Sequence, residues 1–179
     1  MAKKVLIISG SPRKGGNSDI LCDEFMRGAK ESGNDVEKVF LGDMEVGFCK
    51  ACYACTKHGR CIIKDDVPGI IDKIEGADVI VMASPVYFYS IDAQLKALID
   101  RTVSRWTIIA DKKFYYIVTS AEDTDTVADC TIECMRGLAA CLGGSVEAGV
   151  ILGRGVCEAG EIRDHPDIMA QAYDMGKSC

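Results

Sequence analysis

The chain has 179 residues, 48% hydrophobic and 27% charged, with a net charge of −6 at pH 7. That length makes one domain, residues 1–179, with chain enough for a proper core, and the composition is that of a soluble globular protein. The acidic balance argues against nucleic acid as the main partner, and the absence of any signal-peptide pattern or run of membrane-spanning length predicts a cytoplasmic protein with no membrane contact.

Val5 to Ile8 is an apolar run that reads as a buried strand, and a helical pattern begins near Ser18, with apolar residues at Leu21, Phe25 and Ala29. Asn17 or Ser18 caps that helix, and Gly33-Asn34 stops it. Val36 to Leu41 alternates as a second strand. Gly42 to Asp66 has no clear period and is long for a βα connection, a length that points to function. Val67 to Glu75 forms a short helix with Pro68 in its first turn and Asp65 or Asp66 as its cap. Asp78 to Ala83 is a third strand, apolar on both faces, and ends in the loop Ser84 to Tyr89. Ile91, Leu95, Leu98, Ile99 and Thr102 mark the next helix. On spacing, its Lys96 and Arg101 read as a solvated face with Asp100 as a local charge partner. Phe114 to Thr119 is a fourth strand, followed by the polar loop Ser120 to Asp123. Val127, Cys130, Cys134, Leu138 and Cys141 share a helix face that reads as core packing. Val146 to Leu152 is a fifth strand, and Pro166 opens a final helix.

Strands alternating with helices predict an α/β fold, a three-layer sandwich around a five-stranded parallel sheet. Five strands suit the order 2-1-3-4-5, which puts a ligand at the C-terminal ends of the first and third strands. The loops at Gly10 and Ser84 meet there, flanked by the loop at Ser120.

The loop Ser9 to Ser18 reads SGSPRKGGNS between a strand and a helix N-terminus, the geometry that grips an anion through free backbone N–H groups and the helix dipole. Ser11 and Ser18 add hydroxyls, Arg13 adds a guanidinium, and the glycines allow close approach. Gly10-x4-Gly15 opens like a nucleotide P-loop, but Gly16 and Asn17 stand where that motif needs Lys and a hydroxyl. The dinucleotide fingerprint fails too, because Pro12-Arg13-Lys14 displaces its glycines. A single phosphomonoester remains. Pro85-Val86-Tyr87-Phe88 then places apolar and aromatic side chains where a turn would ordinarily be polar, which suits a flat amphipathic ring; an oligomer contact is the other account.

Ten cysteines are many for a cytoplasmic chain, where thiols stay reduced. Cys49-x2-Cys52-x2-Cys55-x5-Cys61 is a compact four-thiolate array. Two consecutive C-x2-C steps fold a segment around an iron–sulfur cubane, whereas zinc more often takes two separated pairs. Zinc and free redox thiols stay as rival readings of the loop. His58, inside it, is expected to be exposed.

The phosphate loop resembles the GSPR-x-x-x-N-S version of the flavodoxin-like NAD(P)H-dependent FMN reductases, and SPVYF followed by LKALIDR (Leu95 to Arg101) resembles their second signature. FCKACYACTKHGRCIIKDD resembles the motif of their iron–sulfur flavoprotein branch. The resemblance implies a flavodoxin-like fold, FMN phosphate on Ser9, Ser11, Arg13, Asn17 and Ser18, and the flavin ring against Pro85, Val86, Tyr87 and Phe88 with Ser120 at one edge. It implies a [4Fe–4S] cluster on Cys49, Cys52, Cys55 and Cys61 when the loop holds metal. NADH or NADPH is the expected reductant, with hydride passing directly to the flavin so that no side chain acts as acid or base. A small redox carrier or oxidant is the expected acceptor, and a homodimer or homotetramer the expected assembly. Two other classes are an electron-transfer flavoprotein without a pyridine-nucleotide site, and a zinc or thiol redox sensor using the cysteine loop.

Overall fold

The computed structural model describes residues 2–179. Its elements run β1 (Lys4–Ser9), α1 (Asn17–Glu31), β2 (Asp35–Phe40), α2 (Ala54–His58), α3 (Val67–Gly76), β3 (Val79–Pro85), α4 (Ala93–Arg101), β4 (Lys113–Thr119), α5 (Asp129–Cys141), β5 (Val146–Gly153) and α6 (Pro166–Ser178). The five strands pair in parallel in the order β2-β1-β3-β4-β5, the flavodoxin-like arrangement that the alternating pattern predicts.

The two-residue period of the strands sorts the core into layers. Leu6, Ile8, Ile80, Met82, Phe114 and Tyr116 pack against the face carrying α3, α4 and α5. Val5, Ile7, Val79, Val81, Tyr115 and Ile117 pack against α1 and α6. Those last two helices touch backbone to backbone. A Cβ on Gly28 would lie 2.1 Å from the Tyr173 carbonyl oxygen, and one on Gly176 would lie 2.0 Å from that of Phe25. The helix whose N-terminus faces the switch point is thereby fixed along its length.

Gly16, rather than Asn17 or Ser18, is the N-cap of α1, and the structure departs from the sequence reading in four further details of the elements. Leu41 leaves the second strand for a 3-10 turn, Leu41–Asp43. Ser84 and Pro85 are the last residues of β3 and pair with Val118 and Thr119, so the second loop starts two residues later, at Val86. The long connection contains a short helix, α2. Finally, Cys130 and Cys141 are exposed and Cys134 is only half-buried; the buried face of α5 is Thr131, Ile132, Met135, Leu138 and Ala139. Both sets recur at helical spacing, and the set with the larger apolar surface takes the core.

Candidate functional site

At the C-terminal ends of β1 and β3 the chain makes a cavity of about 250 Å³. Ser11, Arg13, Asn17, Ser18, Pro85, Val86, Tyr87 and Ser120 all line it. Ser9 does not: it ends β1 fully buried, beside Cys22. Phe88 belongs to an adjoining cleft of about 200 Å³, shared with Val86, Tyr89, Ser120 and Glu122.

The first loop is shaped from within. The Gly10 N–H donates to the Ala83 carbonyl at 2.8 Å, the Arg13 N–H to Ser11 Oγ at 3.1 Å, and the Gly16 N–H to the Arg13 carbonyl at 3.0 Å. Gly15 turns the chain with φ +69° and donates to Asp19 Oδ2 at 2.9 Å. Gly16, in extended conformation, is the N-cap of α1, and no side chain caps the helix. The first N–H groups of a helix have no intrahelical acceptor, and the first turn of α1 stands at the cavity wall through Gly16, Asn17 and Ser18. Ser18 Oγ is fully buried there and has no hydrogen-bond partner. A buried unpaired hydroxyl costs free energy unless something fills its site.

Arg13 and Asn17 are already engaged on one side. Arg13 Nη1 donates to the Cys157 carbonyl at 3.2 Å. The Asn17 amide donates to the Glu158 carbonyl at 2.9 Å and accepts from the N–H groups of Gly160 at 3.0 Å and Ile162 at 3.2 Å. These bonds draw in the segment after β5, so Val156, Cys157 and Ala159 form the far wall. Sequence reasoning missed that wall. Its signal was topological, since the C-terminus of β5 lies on the same sheet edge as the other loops.

Asp92 was missed as well. It is fully buried beneath the two loops and caps α4, accepting from the Leu95 N–H at 2.9 Å and from Ser84 Oγ at 2.8 Å, while its own N–H donates to Ser84 Oγ at 2.9 Å. Burial pushes its carboxyl above the ordinary range, and the Leu95 N–H and Ser84 hydroxyl only partly offset this. A Cβ on Gly10 would lie 2.2 Å from Asp92 Oδ2, so only glycine lets the first loop cross this buckle.

After Pro85 the chain turns tightly. Tyr87 and Ser90 exchange backbone hydrogen bonds of 2.9 and 3.0 Å across Phe88 and Tyr89, whose φ values are +50° and +61°. Positive φ at both central positions is ordinarily met by Asn or Gly, so the aromatics sit here at a conformational cost. Phe88 is 101% exposed, and Tyr89 Oη donates to Glu122 Oε2 at 3.3 Å.

A second cavity, of about 300 Å³, is lined by Cys49, Cys52, Cys55 and Cys61 together with Ile62, Asp100, Arg101 and Val103. Ala51 and Tyr53 take positive φ, the Ala51 N–H donates to Cys49 Sγ at 3.4 Å, and Cys55 enters α2. Among the described residues no three His, Cys, Asp or Glu side chains stand together at metal-binding distance, so the thiols share a wall without converging on a point. His58 is exposed, as read from the sequence. Arg101 overturns its surface reading. Lys96 alone pairs with Asp100, whereas the Arg101 guanidinium is buried, donates from Nη2 to Asp65 Oδ1 at 2.8 Å and from Nη1 to the Gly47 carbonyl at 2.9 Å, and meets Asp65 Oδ2 as well. The Gly47 N–H returns a 2.9 Å bond to Asp65 Oδ2. The Asp66 N–H donates to the Glu45 carbonyl at 3.1 Å, and the Glu45 N–H to Asp66 Oδ2 at 2.7 Å. The two stems of the cysteine loop are thus closed against each other and against α4.

A family model described as NADPH-dependent FMN reductase matches residues 3–141. An iron-sulfur flavoprotein of Methanosarcina thermophila is 46% identical over 100 residues, 56% of this chain and 52% of that protein. An iron-sulfur flavoprotein of Methanocaldococcus jannaschii is 44% identical over 99 residues, 55% of this chain and 51% of that protein. The chain therefore spans about half the length of the curated relatives it matches. Among solved structures, NAD(P)H:quinone oxidoreductase from Methanothermobacter marburgensis superposes with a TM-score of 0.77 at 17% identity, over 99% of this chain and 96% of that one. A flavone reductase superposes with a TM-score of 0.75 at 21% identity, over 97% of this chain and 60% of that one. At these identities the solved structures bear on the fold alone.

Proposed function

The chain belongs to the NADPH-dependent FMN reductase family, and on that premise we propose that it is an FMN-dependent oxidoreductase that takes electrons from NADH or NADPH. The observation that carries the reading is the buried, unpartnered hydroxyl of Ser18 at the N-terminus of α1, in a cavity that also holds Ser11 and Arg13. This donor set suits a phosphomonoester: free N–H groups, hydroxyls and one guanidinium, with no lysine for a polyphosphate. Pro85, Val86 and Tyr87 offer a flat apolar wall to a ring, and the Ser120 loop closes its edge. FMN held there supplies a hydride acceptor that can release electrons one at a time. The residues themselves bind, orient and exclude water, and none is needed as an acid or base. The adjoining cleft beside Val86 and Tyr89 gives room for the nicotinamide or the acceptor.

The four thiols on one cavity favour a second centre, a [4Fe–4S] cluster on Cys49, Cys52, Cys55 and Cys61, with a small redox carrier or oxidant as final acceptor. We place the protein in the cytoplasm, where these thiols stay reduced, as one flavodoxin-like domain that assembles as a homodimer or homotetramer; the exposed Phe88 supports self-association. No helix among the described residues is long and apolar enough to cross a membrane.

The test is anaerobic purification, with an absorbance spectrum and iron, sulfide and zinc assays on one sample, followed by anaerobic addition of NADH or NADPH. Yellow protein that bleaches rapidly supports the reductase. Stable flavin colour leaves an electron-transfer flavoprotein, and a colourless chain that takes up no FMN sinks the reading. About four iron per chain identifies the cluster, whereas zinc in its place identifies a sensor-type loop.

A further inference from the structure

Arg101 is one of the largest fully buried side chains and carries the only guanidinium in the wall of the cysteine cavity. One edge is fully engaged, since Nη1 and Nη2 serve Asp65 and the Gly47 carbonyl. Two N–H donors remain, the second on Nη2 and that of Nε, and Nε is a buried nitrogen with no hydrogen-bond partner at all. Buried N–H groups without acceptors are rare, and a charged one is the costliest kind to leave unpaired. Cys61 lines the same cavity wall as Arg101 and acts on its guanidinium.

We propose that Arg101 is the positioning residue of the cysteine site, with one edge clasping the loop stems through Asp65 and Gly47 and its Nε–H reserved for the Cys61 sulfur. The two jobs are separable. The clasp fixes where residues 48–64 leave and rejoin the fold, so it governs how fully the loop loads. The Nε–H adds a donor and a positive charge beside one ligand sulfur, and both stabilise the more negative, reduced state of a thiolate-bound cluster, raising its potential. A spare donor in the one cationic side chain buried at this cavity is not needed for loop closure, which the other edge achieves alone.

The inference rests on the cluster reading, so the experiment uses the anaerobically purified chain and reads iron first. In wild-type protein fed arginine labelled with nitrogen-15 in its guanidinium, pulsed EPR of the reduced cluster is expected to show a weakly coupled nitrogen-15. Arg60 and Arg105 are partly or largely exposed and hold Asp72 and Glu75, and Arg60→Lys and Arg105→Lys are expected to leave that coupling in place. Arg101→Lys keeps the charge but not both edges; it is expected to lose the coupling and shift the cluster midpoint potential downward. Asp65→Asn opens the clasp with Arg101 present; it is expected to lower iron per chain several-fold while the remaining cluster keeps its potential. Iron-loaded wild type without the coupling, or with the coupling lost in Arg60→Lys or Arg105→Lys, overturns the role of Arg101 and leaves the cluster standing. So does an Arg101→Lys protein with wild-type potential. A wild-type chain that holds no iron, even after reconstitution with iron and sulfide, overturns the cluster reading and this inference with it.

Discussion

Replacing Ser18 by Ala should move two measurements in opposite directions. In the free protein the Ser18 hydroxyl is buried at the helix N-terminus with no partner. Removing it relieves a desolvation penalty and puts a better helix former in the first turn, so stability should rise by about 1 kcal/mol. For a chain of this size that corresponds to roughly 2–4 °C in Tm. In the FMN complex the same hydroxyl is expected to donate to a phosphate oxygen, a charge-assisted bond worth about 1.5–3 kcal/mol. Its loss should weaken FMN binding about ten- to hundredfold. Thermal melts of apoprotein, set beside fluorescence titration with FMN, read the two arms. An affinity equal to wild type would refute the phosphate assignment. A lower Tm in the apoprotein would refute the claim that the hydroxyl is unsatisfied, since it would then be holding the loop.

Three further outcomes are expected. Gly10→Ala drives a methyl to 2.2 Å from Asp92 Oδ2, an overpacking worth about 1–3 kcal/mol, which a urea melt would detect; wild-type stability would show that the loops are not buckled there. Asp92 has a raised native pKa, so the native state binds the extra proton, and stability falls as pH rises from the ordinary carboxylate range through that raised value. Asp92→Asn keeps the cap and should flatten that part of the pH profile, and a profile superimposable on wild type would show that Asp92 does not titrate there. Cys52→Ala should spare FMN and strip the chain of iron, and elemental analysis showing full iron retention would remove the cysteine loop as the cluster site.

Periodicity carried most of the fold. The central strands are apolar on both faces and the helices carry clean stripes, so order and layering followed from local pattern and the handedness of βαβ crossovers. The loops that build the first cavity were legible for the same reason, because strand C-termini at a switch point must converge. What failed was long-range polar pairing. Arg101 meets Asp65 across 36 positions, and nothing local distinguished it from Lys96, which does pair with Asp100 on the surface. Asn17 meets the segment after β5 across 141 to 145 positions, so its amide is occupied by the protein itself and a wall of the site went unread. The α5 cysteines show the limit of periodicity, since two overlapping faces fit the spacing and only side-chain volume chose between them.

The closure at Gly47, Asp65 and Arg101 makes the segment between the stems a cassette. A Cβ on Gly47 would lie 3.1 Å from Asp65 Oδ2, so the junction itself is narrow. Beyond it the segment is tied to the frame by the Arg60–Asp72 ion pair and by Arg105 Nη1, which donates to the Gly59 carbonyl at 3.4 Å. Sequence inserted, shortened or stripped of thiols there alters α2 and is expected to leave the sheet, the other helices and the first cavity as they are. Residues 48–64 are thereby the stretch to exchange, and grafting them onto a relative that already carries the acid and arginine of the clasp is the corresponding engineering route.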